Sequence, residues 1–284
     1  MMRNAAPGED GLLTLDDPAP FRVVAARSSA AILVVCDHAA NTVPRRLGSL
    51  GLPAAELGRH IGWDIGAEAV ARGLAQRLGS PAILASFSRL VIDNNRGLDD
   101  PSAMAASSDG AVVPGNAGLD AEARRARAEE VYWPYHRAIR DTLDGFAARG
   151  VTPALLSVHS FTPRLGGLDR PWHLGVLWDR DPRIAVPLLR ELGRTGLTVG
   201  DNEPYSARSP VDFTVPHHAE PRGLPHVTFE IRQNEIDTDE GAARYAELIA
   251  LALAPILADP ELFQVDRGRD GGAEPHRECE SRGE

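Results

Sequence analysis

The chain reads as an α/β protein: a three-layer α/β/α fold around a mainly parallel or mixed central sheet. Three observations predict it. Short apolar runs alternate with amphipathic helical stretches along most of the length, as expected of strands covered by helices on both faces. Three of those runs end abruptly on titratable residues, where an open α/β sheet presents its ligand crevice. And 284 residues at 43% hydrophobic content can bury a large core, in one domain or two tightly joined ones.

The elements follow in order. Residues 1–18, rich in Gly, Pro, Asp and Ala, read as a flexible leader. A strand over 31–36 ends on Asp37-His38-Ala39-Ala40-Asn41. Gly62-Trp63-Asp64 then opens a helix over Ile65–Leu78. A strand at 82–87 leads into the polar stretch from Ser88 to Gly97, and helical periodicity covers Leu119–Ala148. The strand at 154–158 stops on His159-Ser160-Phe161-Thr162-Pro163. After it come a strand at 173–178, a helix over Arg183–Leu192, a strand at 226–231 carrying Glu230, and a helix over Glu240–Leu257. One α/β domain is expected over 19–264, followed from 265 to 284 by a charged, Gly-rich tail expected to be disordered.

Composition removes whole classes of function. The net charge is −10 with no basic stripe, which argues against nucleic-acid or acidic-membrane partners. No apolar run approaches the roughly 18 residues needed to span a bilayer, and no basic-then-apolar signal opens the chain. The two cysteines, Cys36 in an apolar strand and Cys279 in the polar tail, are not read as a pair. A reduced cytoplasm is therefore the expected compartment. All 30 basic residues are arginine, so Schiff-base and phosphate-loop lysine chemistry is excluded.

Each polar cluster has two readings. His38 is a metal ligand with a neighbouring carboxylate orienting its ring, or a surface residue beside a turn-capping Asp37. Asp64 caps the helix, or leans back over the sheet end toward His38; the two are compatible. Glu68, one turn on, is a weaker candidate. Arg89, Asn95 and Arg96 form an anion clamp, or solvated arginines around an Asp93-Asn94 turn. Asp169-Arg170-Pro171-Trp172-His173 and Gly200-Asp201-Asn202-Glu203-Pro204-Tyr205 carry more polar and aromatic groups than plain connections need. His217-His218 is weak evidence for metal, and His60 and His136 read as structural.

Together these pieces carry a resemblance. Ser-Val-His-Ser-Phe, followed some seventy residues later by Thr-Phe-Glu-Ile-Arg, resembles the zinc carboxypeptidase pattern of a metal-binding His-Ser strand end and a strand with the catalytic glutamate. Closer still is the N-formylglutamate amidohydrolase family, which shares that zinc-exopeptidase-like fold. The matching stretches are Asp37–Asn41, Trp63–Ala67, Ser88–Arg96, His159–Pro163, Arg170–His173 and Glu230–Gln233.

The resemblance implies a hydrolase that cuts the amide of an N-acylated acidic amino acid with a divalent metal, zinc or another transition ion. Carried over by position, His38 and His159 are metal ligands. Zinc carboxypeptidases place a glutamate three residues after the first histidine, where Asn41 stands; related cell-wall amidases draw the acid from the helix start, which selects Asp64. Two histidines, a carboxylate and an open position make a hydrolytic zinc site. Glu230 is then the general base and later the acid, and Arg89 stabilises the oxyanion. Asn95 and Arg96 match the pair that holds a free carboxylate in carboxypeptidases, leaving Arg170 or Arg232 for a second one. Two alternatives stay open: another N-acyl amino acid or small peptide as substrate, or a catalytically silent protein that binds an acidic metabolite.

Overall fold

The computed structural model describes residues 11–208 and 212–266. Its centre is a seven-stranded mixed sheet. The strands are β1 (Phe21–Val24), β2 (Ile32–Cys36), β3 (Ala82–Ala85), β4 (Ala154–Phe161), β5 (Leu174–Leu177), β6 (Val199–Asp201) and β7 (His226–Arg232). Their spatial order is β1-β3-β2-β4-β7-β5-β6. β1 runs antiparallel to β3 and β5 antiparallel to β7, while the inner strands β3, β2, β4 and β7 are parallel. The predicted mixed sheet is thus the observed one.

Strand alternation separates two cores. Ile32, Val34 and Cys36, with Leu156, Val158, Val227 and Phe229, face one side. There they meet helices α1 (Ala67–Leu78), α3 (Pro182–Leu192) and α4 (Asp239–Leu257). Leu33, Val35 and Leu155 face the other, against Tyr135, Ala138, Ile139 and Leu143 of helix α2 (Trp133–Ala147). In α1 the buried Val70, Ala71, Leu74 and Ala75 fall on one helical stripe. The expected three layers follow.

The predicted 30-residue helical stretch is built in three parts. A helix over Ala121–Arg127 runs into a π-helical turn over Ala128–Tyr132 and then into α2. The widened turn reaches in two directions: Glu130 accepts from the backbone N–H groups of Leu12 and Leu13 (2.6 and 2.9 Å), and the Tyr132 hydroxyl donates to the Arg96 carbonyl (2.8 Å). Leu13 is buried, so residues 11–18 are tied to the body where a loose leader was expected. Residues 1–10 and the tail from 267 lie outside the described residues. No helix among the described residues is long and apolar enough to cross a membrane.

The connections set the position of the crevice. From β2 the chain crosses to β3 on one side, then returns through α2 to β4 on the other. The carboxyl ends of β2 and β4 therefore flank a topological switch point, where α/β sheets open a ligand crevice.

Candidate metal centre and active-site cavity

Three side chains converge at that switch point. His38 follows the end of β2, and His159 lies near the end of β4. Asp64 comes from the segment before α1. It is not the cap of that helix: Gly66 is, at φ +80°, and a Cβ there would run into the Ile236 carbonyl oxygen. This left-handed turn, open to glycine at no steric cost, frees the Asp64 carboxylate to lean over the sheet. Its Oδ2 lies 3.2 Å from His38 Nδ1 and 2.9 Å from His159 Nδ1. One ligand atom from each of the three lies within 4.8 Å of the others, and all three residues are buried. Asn41 instead donates to the Leu57 carbonyl (3.2 Å).

The outward-facing ring nitrogens are held as well. His38 Nε2 lies 2.7 Å from Asp93 Oδ1, and His159 Nε2 lies 3.0 Å from Asp37 Oδ2. The sequence suggested that Asp37 orients its neighbour His38; the structure crosses the partners. Asp37 faces α2, accepting at Oδ1 from the hydroxyls of Tyr135 and Thr214 (both 2.8 Å), and its other oxygen serves His159. Asp93, read as a turn residue, serves His38. A carboxylate on the far nitrogen fixes ring orientation and leaves Nδ1 as the ligand atom, so this donor set fits a divalent transition metal.

The protein's own charges shift the group strongly. Burial opposes ionisation everywhere here. It nonetheless yields to Asp93 and Asp64 around His38, and to the hydrogen bonds that Asp37 and Asp64 accept from His159; both imidazoles gain proton affinity. Burial of Asp37 is outweighed by its bond to His159, which brings its pKa to about 2. His38 and His159 likewise hold the buried Asp64 below the usual carboxylate range, and Arg89 and His38 do so for the buried Asp93.

Glu230 is the opposite case. It stands on β7 in parallel register with His159 on β4. Its Oε2 is buried with no hydrogen-bond partner among the described residues. Burial raises its pKa to about 8, with Asp64 and Asp212 adding to the rise and His159 and Arg89 opposing it. On the other flank its antiparallel partner is Gly175, whose Cβ would collide with the Glu203 carbonyl. Glycine there lets the loop carrying Tyr205 close over the glutamate.

A cavity of about 280 Å³ opens over this group, lined by His38, Asp64, His159 and Glu230 together with Arg89, Asn95, Arg96, Ser160, Tyr205, Ser206 and Asp212. The expected arginines divide. Arg89 reaches the cavity while donating to Asp93 Oδ2 through Nε and Nη2 (3.0 and 2.7 Å) and toward Asp64 Oδ1 through Nη1 (3.4 Å). Asn95 and Arg96 also line it. Arg170 and Arg232, expected to hold a second carboxylate, do not. Arg170 sits behind Tyr205, donating to its hydroxyl at 3.0 Å and stacking on its ring. Arg232 spends its donors on Asn234, Glu235 and the carbonyls of Arg170 and Pro171, tying the end of β7 to that loop.

Asp93, Tyr205 and Asp212 were not singled out by sequence as site residues. Of these, only Asp93, set four residues after Arg89, carried a local signal, the helical-type spacing of an ion pair. The other histidines among the described residues do not line this cavity. His136 and His218 are 3.0 Å apart with His136 against the Asn94 carbonyl, and His60 faces Asp109.

The model of the N-formylglutamate amidohydrolase family matches residues 30–236. A crystal structure of gene product Atu2144 from Agrobacterium tumefaciens is 36% identical, with a TM-score of 0.82 over 86% of this chain and 99% of that one. N-formylglutamate amidohydrolase from Ralstonia eutropha JMP134 is 22% identical, with a TM-score of 0.59 over 84% and 97% of the two chains, a likeness of fold. No curated protein sequence matches the chain.

Proposed function

The chain belongs to the N-formylglutamate amidohydrolase family, and from that premise we propose that it hydrolyses the amide of an N-acylated acidic amino acid, N-formyl-L-glutamate, to formate and L-glutamate. The observation that carries this reading is the convergence of His38, Asp64 and His159 beside the unpartnered Glu230 carboxylate. A binding protein has no use for a buried, unpartnered base at that spot.

His38 Nδ1, His159 Nδ1 and an Asp64 oxygen would hold the metal, with zinc the ion this donor set suits first. When bound, the ion supplies Lewis acidity that activates water and polarises the acyl carbonyl. Asp37 and Asp93 keep both rings turned toward it. Glu230 accepts the proton of the attacking water and returns it to the leaving amine nitrogen. Its desolvated setting serves both halves, because a base whose pKa lies near the working pH takes and gives a proton with comparable ease. Arg89 is locked by Asp93 and Asp64 at the cavity wall, so its charge meets the developing oxyanion without reorganising. Asn95 and Arg96 bind a substrate carboxylate.

Charge supports an acidic substrate. The lining carries two guanidiniums, Arg89 and Arg96, and these are the groups a substrate carboxylate can meet. The volume, about 280 Å³, lies near the lower end of small-molecule sites, roughly 300–1,000 Å³, which suits a single amino-acid derivative. The test is a panel of N-formyl, N-acetyl and peptidyl glutamates against the N-formyl derivatives of neutral amino acids. Preference for N-formylglutamate is expected; equal turnover of neutral N-formyl amino acids would overturn the acidic-substrate reading.

A further inference from the structure

The donors assigned above to a substrate carboxylate already hold one. Asn95 Nδ2 and Arg96 Nη1 converge on the same atom, Asp212 Oδ1, each at 3.0 Å. Asp212 lines the cavity, and its side chain is 26% exposed there. We propose that Asp212 is an internal stand-in for the substrate carboxylate: it occupies the Asn95–Arg96 site between turnovers and yields it to an incoming carboxylate. This deepens, and rests on, the acidic-substrate reading.

The surroundings make these donors a built site. The Asn95 amide can face only one way, because its Oδ1 accepts from the backbone N–H groups of Phe213 and Thr214 (2.9 and 3.0 Å). Nδ2 is therefore the edge presented to the cavity, and it can only donate. The backbone beneath is fixed at both residues: Asn95 N–H donates to Asp93 Oδ1 (2.8 Å), and the Arg96 carbonyl accepts from Tyr132 (2.8 Å). Arg96 Nη1 has two hydrogens, and both are used, one on Asp212 and one on the Asn95 carbonyl at 2.8 Å. A substrate carboxylate engaging Nη1 must replace one of these acceptors, and Asp212 is the side chain of the two, the other being a backbone carbonyl.

Repulsion selects displacement over addition. Two carboxylates at hydrogen-bonding distance from the same donors repel one another, and Glu230 already faces the same cavity. A ligand that carries a carboxylate exchanges with Asp212 and leaves the charge count unchanged. A neutral ligand offers Arg96 an acceptor oxygen but no charge to replace that of Asp212, so the internal pair stays closed. Asp212 thus lowers affinity for every carboxylate while restricting the site to carboxylates.

The test is calorimetric binding of glutarate, with glutaramide as the neutral control, to zinc-loaded wild type and Asp212→Asn. Asparagine keeps an acceptor oxygen for Asn95 and Arg96 but gives up the charge. Glutarate is expected to bind roughly two- to fivefold more tightly to the variant, the size of one partly exposed ion pair, with glutaramide unchanged. Equal or weaker glutarate binding would show that Asp212 orients Arg96 instead, and would overturn the proposal. A crystal structure of the wild type with glutarate decides the matter without any variant. Asp212 off Arg96 and the ligand carboxylate in its place supports the exchange; Asp212 still on Arg96 contradicts it. Both measurements read binding, so a failure to turn over N-formylglutamate would sink the substrate reading while leaving this inference testable.

Discussion

Glu230 and His159 stand opposite one another on adjacent parallel strands, side by side in register. One backbone relationship thereby sets the base beside a metal ligand. A one-residue slip of either strand would turn its side chain to the far face of the sheet, so the register of the core fixes the geometry of the chemistry.

Glu230→Gln should retain metal and lose on the order of a hundredfold or more in turnover. It should also stabilise the metal-free protein. The wild-type carboxyl shifts from 4.5 to about 8 on folding, so its favourable contribution is full below the unfolded pKa and fades as pH rises through about 8. Glutamine does not titrate, so its advantage grows with pH, to on the order of 2–4 kcal/mol. Thermal melts at pH 5 and pH 9 check this; a variant less stable than wild type at pH 9 would contradict it.

Asp37→Asn should weaken metal binding by roughly 10- to 100-fold while the fold survives. The amide oxygen still accepts from Tyr135 and Thr214, but the amide NH₂ would then face the His159 Nε2–H, donor against donor. Asp93→Asn should do the same through His38. Metal titration of the two variants gives the answer, and wild-type affinity in both would remove these carboxylates from the site.

Metal affinity should rise with pH. Asp93 and Asp64 around His38, and Asp37 and Asp64 around His159, raise the proton affinity of both rings, so an arriving metal must displace protons from Nδ1. Each displaced proton contributes roughly tenfold per pH unit below the ring's folded-state pKa. Calorimetry in buffers of different ionisation enthalpy counts those protons, and a pH-independent affinity with none released would refute the ligand assignment.

The limits of the sequence follow from the same physics. Apolar runs that end on His38, His159 and Glu230 were legible because buried strands and their carboxyl ends leave a contrast in polarity. Asp64 was legible both as a helix cap and as a carboxylate leaning back toward His38; what decides for the second is a glycine turn two residues later. The exchange of partners between Asp37 and Asp93 was invisible: chain neighbours point different ways, so adjacency to His38 said nothing about contact. Strands β1 and β6 escaped because they are short, partly exposed edges. Asp212 left no signal, being one acid in a loop whose meaning comes from Asn95 and Arg96, more than a hundred residues earlier.

Gly175→Ala should reduce activity at least about tenfold and destabilise by roughly 1–3 kcal/mol, the usual range for overpacking. The new methyl meets the Glu203 backbone carbonyl and must push the Tyr205 loop off Glu230. Steady-state kinetics with a melt measures both effects. Wild-type kinetics would mean that the loop does not form the cavity wall.

The most direct test of the central claim is glutamate release from N-formyl-L-glutamate by the purified protein, before chelation, after chelation, and after zinc is restored. Turnover that vanishes with the chelator, returns with zinc, and is absent from His159→Ala under all three conditions is the predicted result. Turnover that persists in the fully metal-depleted protein would contradict the account.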